Sequence, residues 1–155
     1  MLLLVRPKRE SCVNSIGIGD TVDIVLFDVE SGKIREFAVS TAVTDPIHTE
    51  RDVARDAGFA SLPATLTHSV VTGHQRDQHA FVSALGLDIS RVVVGSVSWR
   101  YLRTLVAGDS LTATRTVIAD ESKRGMRFVT LETAFADAEG ALVLTQTDVL
   151  IERAA

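Results

Sequence analysis

The sequence predicts an α+β fold in which one antiparallel β-sheet wraps around a long central α-helix. The order of the patterns is the first reason: one strand-like run and several helical patterns come first, and four strand-like runs follow residue 86. The second reason is that short turn-forming loops separate the last three runs, which is typical of antiparallel hairpins. A length of 155 residues suits one domain with a proper core.

The first strand is predicted over residues 21–27, because their apolar side chains alternate loosely after a turn. A short amphipathic helix is predicted next, over residues 30–40. There Ile34, Phe37 and Ala38 recur at helical spacing. This strand and this helix lead directly into the segment that carries His48.

That segment is predicted to be a loop, because Pro46 disfavours helical geometry at the residue before it. Thr49 is predicted to cap a short helix that runs to Ala57. Gly58 is a natural end for that helix.

The long central helix is predicted to begin between Pro63 and Thr67, where proline suits a first helical turn and threonine can cap it. Polar residues near Gly73 interrupt its apolar stripe. Two arrangements are therefore open: one helix runs to Gly86, or two helices meet near Gly73.

The second half of the chain is predicted to form four strands, because its runs are rich in Val, Thr, Leu and Phe. These strands cover residues 92–102, 110–119, 127–136 and 142–152. The loops between them, at residues 107–109, 120–125 and 137–140, have turn-forming sequences.

Composition narrows the classes of function. A net charge of −4 gives no electrostatic basis for binding nucleic acid or an anionic membrane. The single cysteine fits a reducing compartment, and the apolar run that opens the chain is too short for a signal sequence. We predict a cytoplasmic protein with a flexible extension at residues 1–14 and one domain at residues 15–155.

Metal and cofactor binding are not expected. His74 and His79 are five residues apart, a poor spacing for two ligands on one helical face. Neither a cysteine nor an acidic cluster accompanies them, so they are predicted to pack or to form hydrogen bonds.

The candidate site lies in the stretch Val43-Thr44-Asp45-Pro46-Ile47-His48. It resembles the catalytic loop of MaoC-like (R)-specific enoyl-thioester hydratases, which reads Asp-x-Asn-Pro-x-His. Residues 34–38, 99–111 and 128–152 resemble further segments of that family, in the same order and at similar spacing. The resemblance covers residues 15–153 and implies the hotdog fold.

The family's catalytic aspartate falls on Val43, so the loop keeps the histidine and lacks the aspartate of the family's catalytic pair. The run Leu-Thr-His at residues 66–68 is closer to the N-terminal, dehydratase-like branch of the superfamily. Members of that branch often serve as non-catalytic partners that shape an acyl-chain channel beside a complete sister fold.

Hydration of an enoyl thioester needs a base for water, an acid for the α-carbon and a donor for the developing enolate oxygen. His48 is the candidate base or water-orienting residue, because imidazole titrates near neutral pH. Asp45 is either the replacement acid or a turn residue before Pro46. The resemblance implies that backbone N–H groups near Thr65, Leu66 and Thr67 meet the thioester. His68 either joins that contact or packs as a half-buried ring.

Three functions are compatible with these sequence features. The first is a hydro-lyase acting on 3-hydroxyacyl or 2-enoyl thioesters of coenzyme A or acyl carrier protein. The second is a non-catalytic acyl-chain-binding subunit of a heteromeric dehydratase. The third is a hotdog thioesterase that would use Asp77 on the central helix. A homodimer or a heterodimer with another hotdog chain is expected, because one sheet around one helix leaves an open edge.

Overall fold

The computed structural model describes residues 16–154, and the extension predicted at residues 1–14 lies outside them. Five strands form one sheet in the order β1-β3-β4-β5-β2, and every neighbouring pair is antiparallel. The strands are β1 (Thr21–Asp28), β2 (Val92–Tyr101), β3 (Ser110–Lys123), β4 (Met126–Ala136) and β5 (Leu142–Glu152). The α+β prediction with an antiparallel sheet is confirmed.

One strand is longer than predicted. β3 continues to Lys123, so the loop expected at residues 120–125 shrinks to a tight turn. Arg124 and Gly125 in that turn have φ values of 54° and 77°. Two consecutive residues with positive φ match the twist of the flanking strands, so pairing continues up to the turn.

Three α-helices lie between β1 and β2: α1 (Ser31–Ser40), α2 (Arg51–Asp56) and α3 (Gln78–Ala84). The predicted loop before α2 contains one short 3-10 turn, Pro46–His48, and Asp45 before it is extended as Pro46 requires. The residue that caps α2 is Glu50, not Thr49 as predicted. Thr49 closes the 3-10 turn instead, donating its N–H to the carbonyl of Pro46.

The central helical segment is broken in two. A 3-10 segment, His68–Gln75, is followed by Arg76 in an extended conformation, and α3 begins after Asp77. Of the two arrangements left open, the structure has the second, with its break three residues beyond Gly73. The segment starts at the far end of the predicted range of residues 63–67, with Thr67 as its N-cap residue, because Pro63 pairs with Val106 in a β-bridge.

The core consists of two apolar clusters between the helices and one face of the sheet. One cluster packs α1 and α2 against the sheet and includes Phe27, Ile34 and Phe135. The other packs α3 against the sheet and includes Phe81 and Val129.

A row of polar side chains crosses all five strands between these clusters. Its members are in register from one edge to the other: Asp23, Arg115, Thr133, Gln146 and Trp99. Sheet pairing places them on the same face as the core residues that precede and follow them along each strand. We call these five residues the polar row.

Within residues 16–154, none of the helices has both the length and the apolar character that crossing a membrane requires.

Candidate functional site

His48 lies in an open cleft of about 480 Å³. The cleft is formed by the 3-10 turn that contains His48, the chain after α2, and the segment that precedes the central helical region. Its lining residues are Val43, Ile47, His48, Phe59, Pro63, Ala64, Thr65, Leu66, Thr67 and Thr104. The predicted site residues His48, Thr65, Leu66 and Thr67 therefore line one surface.

The tautomer of neutral His48 follows from its hydrogen bond. Nδ1 of His48 lies 2.8 Å from the carbonyl oxygen of Pro63. A carbonyl can only accept, so Nδ1 carries the proton and donates it. Nε2 of the neutral ring is then an unprotonated acceptor, the state that a general base requires.

Asp45 occupies a structural position at the start of the 3-10 turn. Its carboxylate accepts the N–H of Ile47 at 3.0 Å, and the residue is exposed and does not line the cleft. Val43 does line the cleft. The geometry therefore favours the turn role for Asp45 over the acid role, and none of the lining residues carries a carboxylate.

The segment at residues 65–67 offers backbone donors beside His48. The N–H groups of Thr65, Leu66 and Thr67 form no hydrogen bond to any of residues 16–154. The carbonyl of Leu66 is held by the Tyr101 hydroxyl, and that of Thr65 accepts the N–H of His68 at 3.1 Å. The two carbonyl contacts hold this segment in place, and its free N–H groups, which lie beside a base, can donate to a developing oxyanion.

Comparison with known proteins identifies the family. A family model described as FAS1-like, dehydratase domain region matches residues 17–146. The chain belongs to this family. A UPF0336 protein of Clavibacter michiganensis subsp. michiganensis is 39% identical over 122 residues, which cover 78% of this chain and 82% of that protein.

Solved structures support the hotdog fold of this FAS1-like dehydratase chain. One is the C-terminally truncated HadBC (3R-hydroxyacyl-ACP dehydratase) complex of Mycobacterium tuberculosis, with a TM-score of 0.71 and 23% identity over 83% of this chain and 94% of that chain. Another is an (R)-hydratase of A. caviae involved in PHA biosynthesis, with a TM-score of 0.66 and 20% identity over 88% and 96%. The predicted MaoC-like, hotdog dehydratase family is confirmed.

His68 is separate from the cleft of this dehydratase-family chain. The ring is fully buried, with its centroid 5.9 Å from that of Phe27 and 5.3 Å from that of Phe37. Neither ring nitrogen has a hydrogen-bond partner among residues 16–154, and burial lowers the pKa of His68 to about 4. Of the two roles considered for His68, the structure therefore supports packing over contact with a substrate, and the ring is fully buried where a half-buried ring was expected.

His68 should make the protein less stable in mild acid. Between pH 6.5 and pH 4 the unfolded chain binds a proton at this residue that the folded chain does not, so stability falls as pH falls. At pH 5 we expect the free energy of unfolding to lose about 2 kcal/mol through His68. Urea unfolding at pH 7.5 and pH 5 should show this loss in the wild type and in His79→Gln, an exposed control, but not in His68→Phe. An equal loss in His68→Phe would contradict the assignment.

Asp77, the residue that a thioesterase would use, caps α3. Its carboxylate accepts the N–H of Ala80 at 2.9 Å. It does not line the His48 cleft. The geometry gives no support to a thioesterase at this site.

Sequence reasoning missed a polar cluster beside the break in the central segment. Arg76, Arg115 and Asp148 meet there, and both arginines pair with Asp23. One signal was present. Arg115 is two residues from Ala113 and from Val117 along β3, so its side chain lies on the same core face as theirs and that of Leu111.

Proposed function

We propose that this chain is the acyl-thioester-binding subunit of a dehydratase and that turnover requires a carboxylate from a second hotdog chain. One observation carries the proposal: a candidate base, His48, lines the cleft, and no carboxylate lines it with His48. The substrate class is a 3-hydroxyacyl or 2-enoyl thioester of coenzyme A or acyl carrier protein.

The chemistry explains why a second chain is needed. Water adds to the enoyl group when a base removes its proton and an acid protonates the α-carbon. Nε2 of His48 can accept the proton of water, because Nδ1 is bound to the Pro63 carbonyl. A neutral imidazole that accepts the proton of water through Nε2 has no free proton to give to the α-carbon in the same step. A second titratable group therefore has to complete the site.

The cleft has features that suit a thioester. The free N–H groups of Thr65, Leu66 and Thr67 can bind the carbonyl oxygen, where negative charge develops. Ile47, Phe59 and Pro63 provide an apolar wall. Oriented donors beside such a wall are typical of sites that hold one polar group of a largely apolar ligand.

An open sheet edge supports assembly with another hotdog chain. β2 is an edge strand, and Val93 and Val94 on it are 41% and 62% exposed. An exposed apolar edge can pair with the edge strand of a second chain. The structurally similar HadBC is itself a complex, which supports assembly with a second chain.

A second candidate is a hydro-lyase that works with this chain alone. The free Nε2 of His48 favours it. Asp45 would then be the acid, and its carboxylate would have to leave the N–H of Ile47 and turn into the cleft.

Loss of enoyl absorbance from crotonyl-CoA distinguishes the two candidates. We expect no turnover by the purified chain, and turnover when a hotdog chain with an intact Asp-x-Asn-Pro-x-His loop is added and co-purifies with it. His48→Ala should then lower the turnover of the complex by about 10²–10⁴-fold, as is usual for acid–base groups, because it removes the proposed base.

Asp45→Asn is the matched control, because asparagine keeps the acceptor for Ile47 but has no carboxylate to act as an acid. It should leave the turnover of the complex unchanged. Turnover by the purified chain that both His48→Ala and Asp45→Asn abolish would establish the second candidate instead.

A further inference from the structure

A second pocket, of about 250 Å³, lies over the polar row and beneath the break in the central segment. It shares no lining residue with the His48 cleft. Its polar lining includes Arg76, Arg115, Thr133, Gln146 and Asp148. Its apolar lining includes Phe81, Leu131 and Leu150. We call it the arginine pocket.

Two guanidinium groups are buried in the wall of the arginine pocket. The side chains of Arg76 and Arg115 are 3% and 7% exposed. The break places Arg76 there, because the extended residue between the 3-10 segment and α3 turns toward the sheet. Arg115 comes from β3, and its guanidinium lies 3.9 Å from the centroid of the Phe81 ring.

Asp23 cannot satisfy both guanidinium groups. Each of its carboxylate oxygens pairs with one arginine. Nη2 of Arg76 and Nε of Arg115 remain buried, with no acceptor among residues 16–154. Buried donors of charged groups are costly when unpaired, so two such atoms at one small pocket indicate a place for an acceptor.

The remaining carboxylate of the pocket is already engaged. Gln146 accepts from Ser69 and Trp99 through its oxygen, so its amide nitrogen faces Asp148 and donates to both carboxylate oxygens at 3.0 Å. Burial raises the pKa of Asp148. Asp148 therefore does not supply the acceptor that the two arginines lack.

We propose that the arginine pocket binds a small monocarboxylate such as a short-chain fatty acid. A carboxylate supplies two acceptor oxygens, which match two guanidinium donors. The apolar wall formed by Phe81, Leu131 and Leu150 receives the alkyl group. Phosphate fits less well, because its second charge would lie against Asp148 and Asp23.

Calorimetric titration of the full-length protein with sodium butyrate at constant ionic strength tests the proposal. Saturable binding is expected for butyrate and not for butyramide, which has the same size but no charge, nor for chloride. Arg76→Met should weaken butyrate binding at least about tenfold, since it removes hydrogen bonds from a charged donor. Arg55→Met, on the exposed face of α2, is the control and should bind like the wild type.

Asp148→Asn provides a variant that breaks no pairing of an arginine, in case Arg76→Met does not fold. It removes a competing negative charge and should retain or increase the affinity for butyrate. The proposal is overturned if butyrate does not bind, if butyramide binds equally well, if folded Arg76→Met binds like the wild type, or if Asp148→Asn loses binding.

Discussion

Val43→Asp is expected to give this chain hydratase activity of its own. Val43 lines the cleft with His48, and its N–H is held by the carbonyl of Ala38 at 2.9 Å. A carboxylate at this position would supply the acid that the lining lacks. A second, positioned acid–base group is worth about 10²–10⁴-fold in rate. The measurement is the loss of enoyl absorbance from crotonyl-CoA by the purified variant without any second chain.

Two controls make the Val43→Asp result specific. Val43→Asn has nearly the same shape as the aspartate variant but cannot transfer a proton, and it should remain inactive. Val43→Asp combined with His48→Ala should also be inactive, because the base is then missing. If the single variant is folded and still inactive, the cleft does not hold a thioester as proposed.

Asp23→Asn is expected to cost about 3 kcal/mol of the free energy of unfolding. It removes the only carboxylate bound by the nearly buried side chains of Arg76 and Arg115 among residues 16–154. Breaking a buried ion pair on one side is typically worth about 3–5 kcal/mol, and Asp23 is 25% exposed, which places the value at the lower end.

Urea unfolding at neutral pH measures this cost. Asp52→Asn is the matched control, because Asp52 also pairs with an arginine but both side chains are largely exposed. That variant should be nearly as stable as the wild type, as is usual for surface pairs. Equal stability of Asp23→Asn and Asp52→Asn would mean that solvent screens the two arginines.

Local sequence was sufficient to predict most of the sheet. Strand-like composition and short loops specify β3, β4 and β5, since antiparallel neighbours in sequence are also neighbours in space. The loop that carries His48 was also predictable from local sequence, because Pro46 disfavours helical geometry at the residue before it. The hydrogen bond that fixes the tautomer of His48 was not, because Pro63 lies 15 residues further along the chain.

In the central segment the sequence pattern left two arrangements open. The interrupted apolar stripe allowed one helix or two, and residues 68–75 contain Val70, Val71, Thr72 and Gly73, which have low helix propensity. The segment forms a 3-10 helix and then ends. The interruption of the stripe near Gly73 indicated the break, and low helix propensity accounts for the 3-10 geometry of the first part.

The polar row was beyond sequence reasoning because its members meet only through sheet register. Asp23 and Arg115 are 92 residues apart, and although the two-residue period of β3 puts Arg115 on the core face, no local pattern shows that it pairs with Asp23. Their burial depends on which residues face them across the strands. The candidate ligand site at Arg76 and Arg115 therefore required the structure.

The separation of the core by the polar row makes this fold modular. Side chains around Phe135 and side chains around Val129 belong to different packing units, so a change of volume in one need not be matched in the other. Substitutions can then accumulate independently at the end of the protein near His48 and at the end near α3, while both ends keep the same five-stranded sheet.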